Sequence, residues 1–386
     1  MQKYGFKLNF ATLFSIFMIL TNLNLIQFKN FKNLSYPWQD GINFIIGPNG
    51  AGKTNILDAI YYSCMTKSFF NSNDGQMILN GKDFFRMEAT WQDEVETHFL
   101  VVKMAENKLK EVEWDLKKYL KASDHVGKIP VVMVVPDDIF TFIHDSEDRR
   151  KFINQTLIQV DHQYLMHLLQ YNRLLKQRNA SLKLAKSSQH TDYHLLDSYH
   201  QGMNLSAKYI YEKRRDFLVQ LNPLLDQFSL KISKGLQNSY MEYTSDAAED
   251  LISKWQREYP KDLLLARTHS GIHKDQLIPF FNEKKLKEYG SQGQIKTLLL
   301  ALRLAQYRYL YKYSGKKPVM LLDDLFAKLD SSRIESLLDV LIEEQIDQCF
   351  ITDNHPERAK NLASKINSKS NIVYLNDGNL APYETD

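Results

Sequence analysis

The sequence predicts an α/β protein in which a lobe of helices is inserted into a core of strands and helices. Continuous apolar segments typical of buried parallel strands occur on both sides of the chain's middle, at Ile42 to Ile46 and at Val319 to Leu322. Between about Arg149 and Gln237 the apolar residues recur instead at helical spacing. The 386 residues are 44% hydrophobic, which is enough to bury two or three packed units.

The other elements follow in chain order. Helices are predicted after the glycine-rich turn that ends at Gly52, from Gln292 to Tyr311, and after Ser331. Strands are predicted near Leu23 to Phe28, at two or three places between Phe84 and Met104, and at Ile129 to Val135, Gln276 to Phe281 and Cys349 to Thr352. The heptad signal in this region is short and is broken at Asn222-Pro223, so we expect no long coiled coil. Residues 18–148 with 262–386 should form one lobe, and residues 149–261 the helical lobe.

Composition excludes several simple readings. The 49 basic and 46 acidic residues leave a net charge of +3, too balanced to indicate nucleic acid or membrane binding by itself. Cys64 and Cys349 form neither a disulfide framework nor a metal cluster, so a reducing cytoplasm is expected. An apolar run from Phe10 to Leu20 mimics a signal peptide but is too short to span a bilayer. We expect residues 1–17 to be a non-native or disordered extension before a natural start at Met18.

A glycine-rich segment lies between a buried strand and a predicted helix. Its residues match the P-loop pattern: Gly47-Pro48-Asn49-Gly50-Ala51-Gly52-Lys53-Thr54. The glycines let backbone N–H groups converge on phosphate oxygens, and the helix adds the positive end of its dipole. Lys53 should reach the β- and γ-phosphates of ATP, and Thr54 should be a ligand of Mg²⁺.

Two carboxylates follow the strand Val319 to Leu322, as the Walker B function requires. Asp323 should hold Mg²⁺ directly or through water, and Asp324 should orient or deprotonate the attacking water. Acidic residues after a strand are individually common as helix caps, but the P-loop elsewhere in the chain favours the catalytic interpretation.

Further motifs resemble those of ABC-type ATPases, in the form found in the RecF family of DNA-repair proteins. Ser291-Gln292-Gly293-Gln294, before a long helix, resembles the family's signature loop, and the run Asp323 to Asp330 resembles its Walker B and D-loop segment. Other matching segments are Val135-Pro136-Asp137-Asp138 (the Q-loop region), Arg149-Arg150-Lys151-Phe152, Tyr171 with Gln177-Arg178-Asn179, and Gly271-Ile272-His273-Lys274-Asp275. The matches are in order and span roughly Met18 to Asp353.

Some positions depart from the wider pattern. Asp324 stands where most ABC ATPases have glutamate, and its shorter side chain weakens the assignment as a general base. Thr352-Asp353 stands where transporters carry a histidine, and His355, two positions later, is expected on the surface.

The signature loop and the P-loop are two phosphate-binding surfaces on one chain, which predicts a sandwich. Each ATP would be held by the P-loop of one protomer and by Ser291, Gln292, Gly293, Gln294 and Asp330 of another, in a two-fold dimer. Lys53, Asp324 and Ser291 are the predicted catalytic residues. Taken alone, Ser291 would be an ordinary helix N-cap.

The helical lobe carries the candidate DNA contacts. Between Arg149 and Lys186 there are eight lysines and arginines against one acidic residue, a local charge of +7. The candidates for DNA contacts are Arg149, Arg150, Arg173, Lys176 and Arg178. Such a run can also be a solvated helix face, and Arg149 and Arg150 can instead brace the Q-loop.

The resemblance implies a cytoplasmic, weakly hydrolysing ATPase whose cofactors are ATP and Mg²⁺. It implies an ATP-dependent homodimer that clamps double-stranded DNA near single-stranded gaps, with RecR-like and RecA-like proteins as partners and no membrane. Two alternatives remain: an ABC-type ATPase subunit coupled to a membrane transporter, and a small-molecule kinase that uses the P-loop alone.

Overall fold

The computed structural model describes residues 17–106, 108–135, 142–366, 369–376 and 378–383. Most of the expected N-terminal extension, residues 1–16, and the Q-loop residues Pro136, Asp137 and Asp138 lie outside these ranges. The strands are β1 (Ile19–Phe28), β2 (Phe31–Pro37), β3 (Gly41–Ile46), β4 (Phe84–Gln92), β5 (Thr97–Ala105), β6 (Glu111–Trp114), β7 (Lys117–Lys118), β8 (Val131–Val134), β9 (Ser239–Thr244), β10 (Gln276–Phe281), β11 (Lys284–Lys285), β12 (Val319–Leu322), β13 (Gln348–Asp353), β14 (Ser370–Asn376) and β15 (Asn379–Pro382). The helices are α1 (Lys53–Met65), α2 (Ser146–Leu157), α3 (His162–Ser188), α4 (Tyr193–Ile232), α5 (Leu251–Arg257), α6 (Tyr259–Leu265), α7 (Leu286–Tyr289), α8 (Gln292–Ser314), α9 (Ser331–Glu343) and α10 (Pro356–Lys365).

A six-stranded sheet in the order β15-β14-β3-β13-β12-β8 forms the centre of the α/β core. All neighbouring strands in it are parallel except the antiparallel edge pair β14 and β15. Every residue of β8, β12 and β13 is buried, which explains why β8 and β12 are apolar throughout and why β13 has an apolar centre, Cys349 to Ile351, with no alternation. The carboxyl ends of β3, β12 and β13 therefore meet at one edge of the sheet, and the predicted nucleotide residues follow them.

A second six-stranded sheet is antiparallel, in the order β2-β1-β4-β5-β6-β7. Strand β4 alternates between buried and more exposed residues, and its inward side chains include Phe85, Met87 and Trp91. Gln348 of β13 links the two sheets, because its amide bonds both the backbone N–H (2.8 Å) and the carbonyl (2.9 Å) of Leu20 in β1.

Helices α3 and α4, of 27 and 40 residues, pack along each other, and α8 packs along α4. The expectation of a head without a long coiled coil is confirmed within the described residues, although helix α4 runs through Pro223 without a break. Proline cannot donate a hydrogen bond to the preceding turn. Tertiary contacts offset this loss: the Asn222 amide bonds both the N–H and the carbonyl of Met241 in β9, each at 2.9 Å. Within the described ranges no helix is both long and apolar enough to cross a bilayer.

A third, three-stranded sheet has the order β11-β10-β9. Strand β9 pairs with β10 over its full length, from Ser239 opposite Phe281 to Thr244 opposite Gln276. The predicted lobe boundary at residue 261 would divide this sheet. We therefore propose that the helical lobe extends to Tyr289, the last residue of α7.

Candidate nucleotide-binding site

The predicted P-loop connects the buried strand β3 to helix α1, as its chemistry requires. At two positions of the loop, close neighbours leave no room for a side chain, so glycine is required. A Cβ on Gly52, whose φ is 106°, would lie 2.4 Å from Nδ2 of Asn30, and one on Gly47 would lie 2.3 Å from the carbonyl oxygen of Leu375. The loop is thus held between the β1–β2 turn and β14, in a backbone form that only glycine allows.

Lys53 lies at the start of α1 and is almost fully buried. Its ammonium donates to the carbonyl oxygens of Gly47 (2.7 Å) and Pro48 (2.9 Å), so it spans the loop. Burial lowers the pKa of Lys53, and the negative charges of Asp324, Asp323 and Asp353 oppose that shift. A buried cation at the start of a helix that follows a glycine-rich loop suits the terminal phosphates of ATP.

Thr54 and Asp323 come together as the sequence predicts. The Thr54 hydroxyl lies 3.0 and 2.9 Å from the two carboxylate oxygens of Asp323, and the Thr352 hydroxyl donates to Asp323 Oδ1 at 2.8 Å. Burial raises the pKa of Asp323. The described residues contain no cluster of three metal-ligating side chains. A hydroxyl and one carboxylate fit Mg²⁺, which is usually held by one or two protein groups plus phosphates and water.

Asp324 has an unusual backbone conformation. Its φ of 39° and ψ of 32° are left-handed, a conformation that is uncommon for residues other than glycine, and its N–H donates to the Thr352 hydroxyl at 2.8 Å. Thr352 therefore touches both Walker B carboxylate residues. The sequence marks Thr352 only as part of the segment where transporters carry a histidine, and it gives no sign of these contacts.

The signature loop begins α8 and lies at the surface. Ser291 is the N-cap: its hydroxyl accepts from the N–H of Gln294 at 3.3 Å, while the Gln294 side chain accepts from the N–H of Ser291 at 2.8 Å. Ser291 and Gln292 are exposed, and Gly293 and Gln294 are partly exposed. The capping role of Ser291 is confirmed, and its role toward phosphate stays a prediction.

Arg333 connects the D-loop to the signature helix and was also missed. Its guanidinium pairs with Asp330, the N-cap of α9, and donates to the Thr297 hydroxyl of α8 at 3.1 Å. A Cβ on Gly293 would lie 2.9 Å from this guanidinium. The signal was an arginine three residues after an aspartate, the spacing of neighbours on one helix face.

Two of the five DNA candidates are wrong. Arg178 is fully buried, and its guanidinium donates to Asp262 (2.7 Å) and Thr268 (2.6 Å). Arg149 is buried and donates to the carbonyls of Phe142 (2.6 Å) and Ile143 (2.9 Å); the alternative that it braces the Q-loop falls on residues outside the described ranges. Both guanidinium groups are thus used inside the molecule and cannot lie against a phosphate backbone.

The other three candidates differ in exposure. Arg150 is partly buried and donates to the Asp275 carbonyl at 2.9 Å. Arg173 and Lys176 are exposed on α3 and are available to a partner. His355 is exposed, as expected.

The helical-lobe motif and the Gly271 to Asp275 segment meet inside the protein. Tyr171 bonds Nδ1 of His273 at 2.8 Å, and a Cβ on Gly271 would lie 2.4 Å from the Tyr171 oxygen. The buried carboxylate of Asp275 pairs with Arg214 of α4 at 2.5 Å. These matched residues thus join α3 and α4 to the segment before β10.

Comparison with known proteins agrees with this geometry. The profile of the RecF/RecN/SMC N-terminal domain matches residues 19–372. The DNA replication and repair protein RecF of Cytophaga hutchinsonii is 38% identical over 343 residues, which cover 89% of this chain and 91% of that protein. RecF of Flavobacterium johnsoniae is 37% identical, with 93% of this chain and 100% of that protein covered.

Solved structures show the same fold. The structure of the recombination mediator protein RecF-ATPrS in the RecFOR pathway superposes with a TM-score of 0.85 at 24% identity, covering 95% of this chain and 98% of that one. The Smc head domain of Pyrococcus furiosus, bound to the C-terminal domain of ScpA, gives a TM-score of 0.54 at 16% identity, covering 94% and 95%. The chain therefore belongs to the RecF family of DNA replication and repair proteins.

Proposed function

We propose that this chain is an ATP-dependent DNA-binding protein of recombinational repair, in which ATP binding and slow hydrolysis act as a switch. One observation carries the proposal: a formed P-loop with Thr54 and Asp323 coexists with an exposed signature loop at Ser291. Membership of the RecF family supports it, since the relatives are named for DNA replication and repair.

The dimer follows from the two surfaces. The P-loop holds the phosphates of one ATP, and the exposed N-terminus of α8 offers unpaired backbone N–H groups to the ATP of a second copy. Arg333 ties Asp330 to the same helix, so the D-loop and the signature loop reach the partner as one unit. A two-fold arrangement of this kind contains two nucleotides and is stable only while ATP is bound.

Hydrolysis would release the dimer. Lys53 neutralises charge that develops on the terminal phosphates, and Asp324 orients or deprotonates the attacking water. When bound through Thr54 and Asp323, Mg²⁺ supplies electrostatic stabilisation of the phosphates. The strained backbone of Asp324 and its short side chain give an imperfect base, which fits a slow switch better than a fast enzyme.

The DNA surface is the exposed face of α3. Arg173, Lys176 and Lys183 are all exposed and spaced at i, i+3 and i+10, so they share one side of the helix. The buried Tyr171, together with Arg178, marks the opposite side. We propose that this face, on each protomer of the dimer, tracks the phosphates of duplex DNA next to single-stranded gaps.

The dimer on DNA would support loading of a RecA-like recombinase with a RecR-like partner, in the cytoplasm where DNA and ATP are present. A structure of a related RecF is described within the RecFOR pathway. The alternative of a transporter subunit has less support, because relatives that cover most of this chain are named for DNA repair.

The test is duplex binding by the double variant Arg173→Glu and Lys176→Glu, titrated over a range of salt concentrations with ATP. Loss of up to two phosphate contacts should weaken binding to all sequences alike and lower the salt slope by roughly 0.9 per contact. The matched control is Lys365→Glu with Lys369→Glu, exposed lysines outside the helical lobe. Wild-type affinity and slope in the α3 variant would show that this face only contacts water.

A further inference from the structure

Arg358 and Asp353 form an ion pair beside the P-loop that the mechanism above does not use. The Asp353 carboxylate accepts from Nε of Arg358 at 2.6 Å and from one of its terminal nitrogens, also at 2.6 Å. It also accepts from the N–H of His355 at 2.9 Å. Asp353 is 1% exposed, so the guanidinium is held in a fixed orientation by a buried carboxylate.

The fold places this pair at the terminal-phosphate end of the site. Asp353 ends β13, which lies between β3 and β12, and it is in register with Ile46, the residue before the P-loop. The preceding residue, Thr352, bonds Asp323 and the backbone of Asp324. Arg358 is in the first turn of α10, and its bonds to Asp353 place its guanidinium at the carboxyl end of β13.

The electrostatics point the same way. The hydrogen bond to Asp353 raises the pKa of Arg358 most, and the charge of Asp324 raises it further. The charge of Asp353 acts in turn on Lys53. The side chain of Arg358 is 27% exposed, and within the described part of the chain its second terminal nitrogen has no hydrogen-bond partner. Arg358 is thus an oriented cation with an available donor, close enough to Asp324 for the two charges to interact.

We propose that Arg358, oriented by Asp353, binds the γ-phosphate and so distinguishes ATP from ADP. This inference rests on the proposed ATP-driven function and names the residue that detects the nucleotide state. A guanidinium matches the geometry of phosphate oxygens. The nearby carboxylates of Asp353 and Asp324 would repel a phosphate, and the positive charge of Arg358 offsets that repulsion. ADP lacks the group that would meet this cation, so it gains nothing from Arg358.

The test compares affinities for ADP and for the slowly hydrolysed analogue ATPγS in the full chain, by calorimetry. Arg358→Gln alone would leave a buried charge on Asp353 and lower stability. The decisive protein is therefore the double variant Asp353→Asn with Arg358→Gln, in which two neutral side chains of similar size can still hydrogen-bond. We expect its preference for ATPγS over ADP to fall at least tenfold, while its ADP affinity and its melting temperature without nucleotide stay near wild type.

Two further proteins sharpen the result. Arg358→Lys keeps the charge but not the fork, so it should keep part of the preference. The matched control is the double variant Arg308→Gln with Glu344→Gln. It removes a similar ion pair between α8 and the end of α9, in which Nε of Arg308 and Oε2 of Glu344 are 3.0 Å apart. It should leave the preference for ATPγS over ADP unchanged.

Three outcomes would overturn the inference. An unchanged preference in the double variant would show that the pair only satisfies charge, and an equal loss of ADP and ATPγS affinity would show general nucleotide binding. If the wild-type protein bound neither nucleotide, the proposed function would fail together with this inference.

Discussion

Lys53 is the residue on which the nucleotide site depends most. In Lys53→Ala the phosphates lose a charge-assisted partner worth about 1.5–3 kcal/mol, so ATP affinity should fall roughly 10- to 150-fold. Lys53→Arg should keep some binding but little hydrolysis, because a guanidinium retains the charge without the compact shape of an ammonium. Fluorescent-nucleotide binding and phosphate release measure the two effects. Normal turnover by Lys53→Ala would contradict the P-loop assignment.

Arg178, unlike Lys53, has a structural role inside the protein. Arg178→Ala removes the guanidinium partner of the fully buried Asp262 carboxylate, which keeps its contacts with His269, and should lower the free energy of unfolding by about 3–5 kcal/mol. Arg173→Ala, five residues earlier and exposed, should change it by less than about 0.5 kcal/mol. Urea denaturation separates the two cases. Equal, small changes would mean that Arg178 is not an internal brace.

The P-loop and Walker B residues could be predicted because their chemistry is local: each motif lies within eight residues. Arg178 was wrongly assigned to the DNA-binding surface because its charge was considered without its position around the helix. Tyr171, Arg178 and Leu182 are spaced at i, i+7 and i+11, which places the arginine on the buried side of α3. That spacing was present in the sequence. What the sequence could not supply was Asp262, 84 residues away, which pairs with the buried charge.

At the scale of elements, α4 depends on contacts that lie outside it. The Asn222 side chain satisfies both backbone groups of Met241, so Asn222→Ala should leave a donor and an acceptor of β9 unpaired and cost about 1–3 kcal/mol. Amide exchange at Met241 should speed up more than at Leu277, which is in the same small sheet but makes no such contact. Unchanged exchange at Met241 would contradict this account of how α4 tolerates Pro223.

The ends of some strands could be predicted from the sequence, whereas other features of the elements could not. Strands β10 and β12 have the predicted bounds, because their apolar runs are flanked by polar or breaking residues. The proline in α4 and the pairing of β9 with β10 depend on long-range contacts, which local patterns do not contain. Local propensity therefore failed where tertiary contacts dominate.

For the whole molecule, stability should depend on acid pH through buried histidines. Burial lowers the pKa of His125, His200 and His273 to about 4, and the unfolded value is about 6.5. Between these values the unfolded chain binds protons that the folded chain does not, so stability is complete above pH 6.5 and is lost as the pH falls toward 4. Each histidine contributes a slope of up to about 1.4 kcal/mol per pH unit.

His125 gives the cleanest test of this slope, because it is completely buried with its Nε2 2.8 Å from the Ser63 carbonyl. Denaturant titrations of wild type and His125→Gln at several pH values should show a shallower pH dependence in the variant, whatever its stability at neutral pH. Parallel curves would indicate that His125 is already protonated in the folded protein.

In the proposed dimer, ATP joins two copies of the chain through the P-loop of one and the signature loop of the other. The most direct measurement is molar mass by light scattering, with and without ATP and Mg²⁺, for wild type, Ser291→Arg and Ser291→Asp. In Ser291→Asp the aspartate still caps the N-terminus of α8, but its negative charge repels the phosphates bound to the partner. Loss of dimerisation in this variant therefore cannot be attributed to unfolding of the helix. We predict that ATP doubles the wild-type mass while both variants bind ATP as monomers. ATP-dependent dimers of both variants would contradict the sandwich.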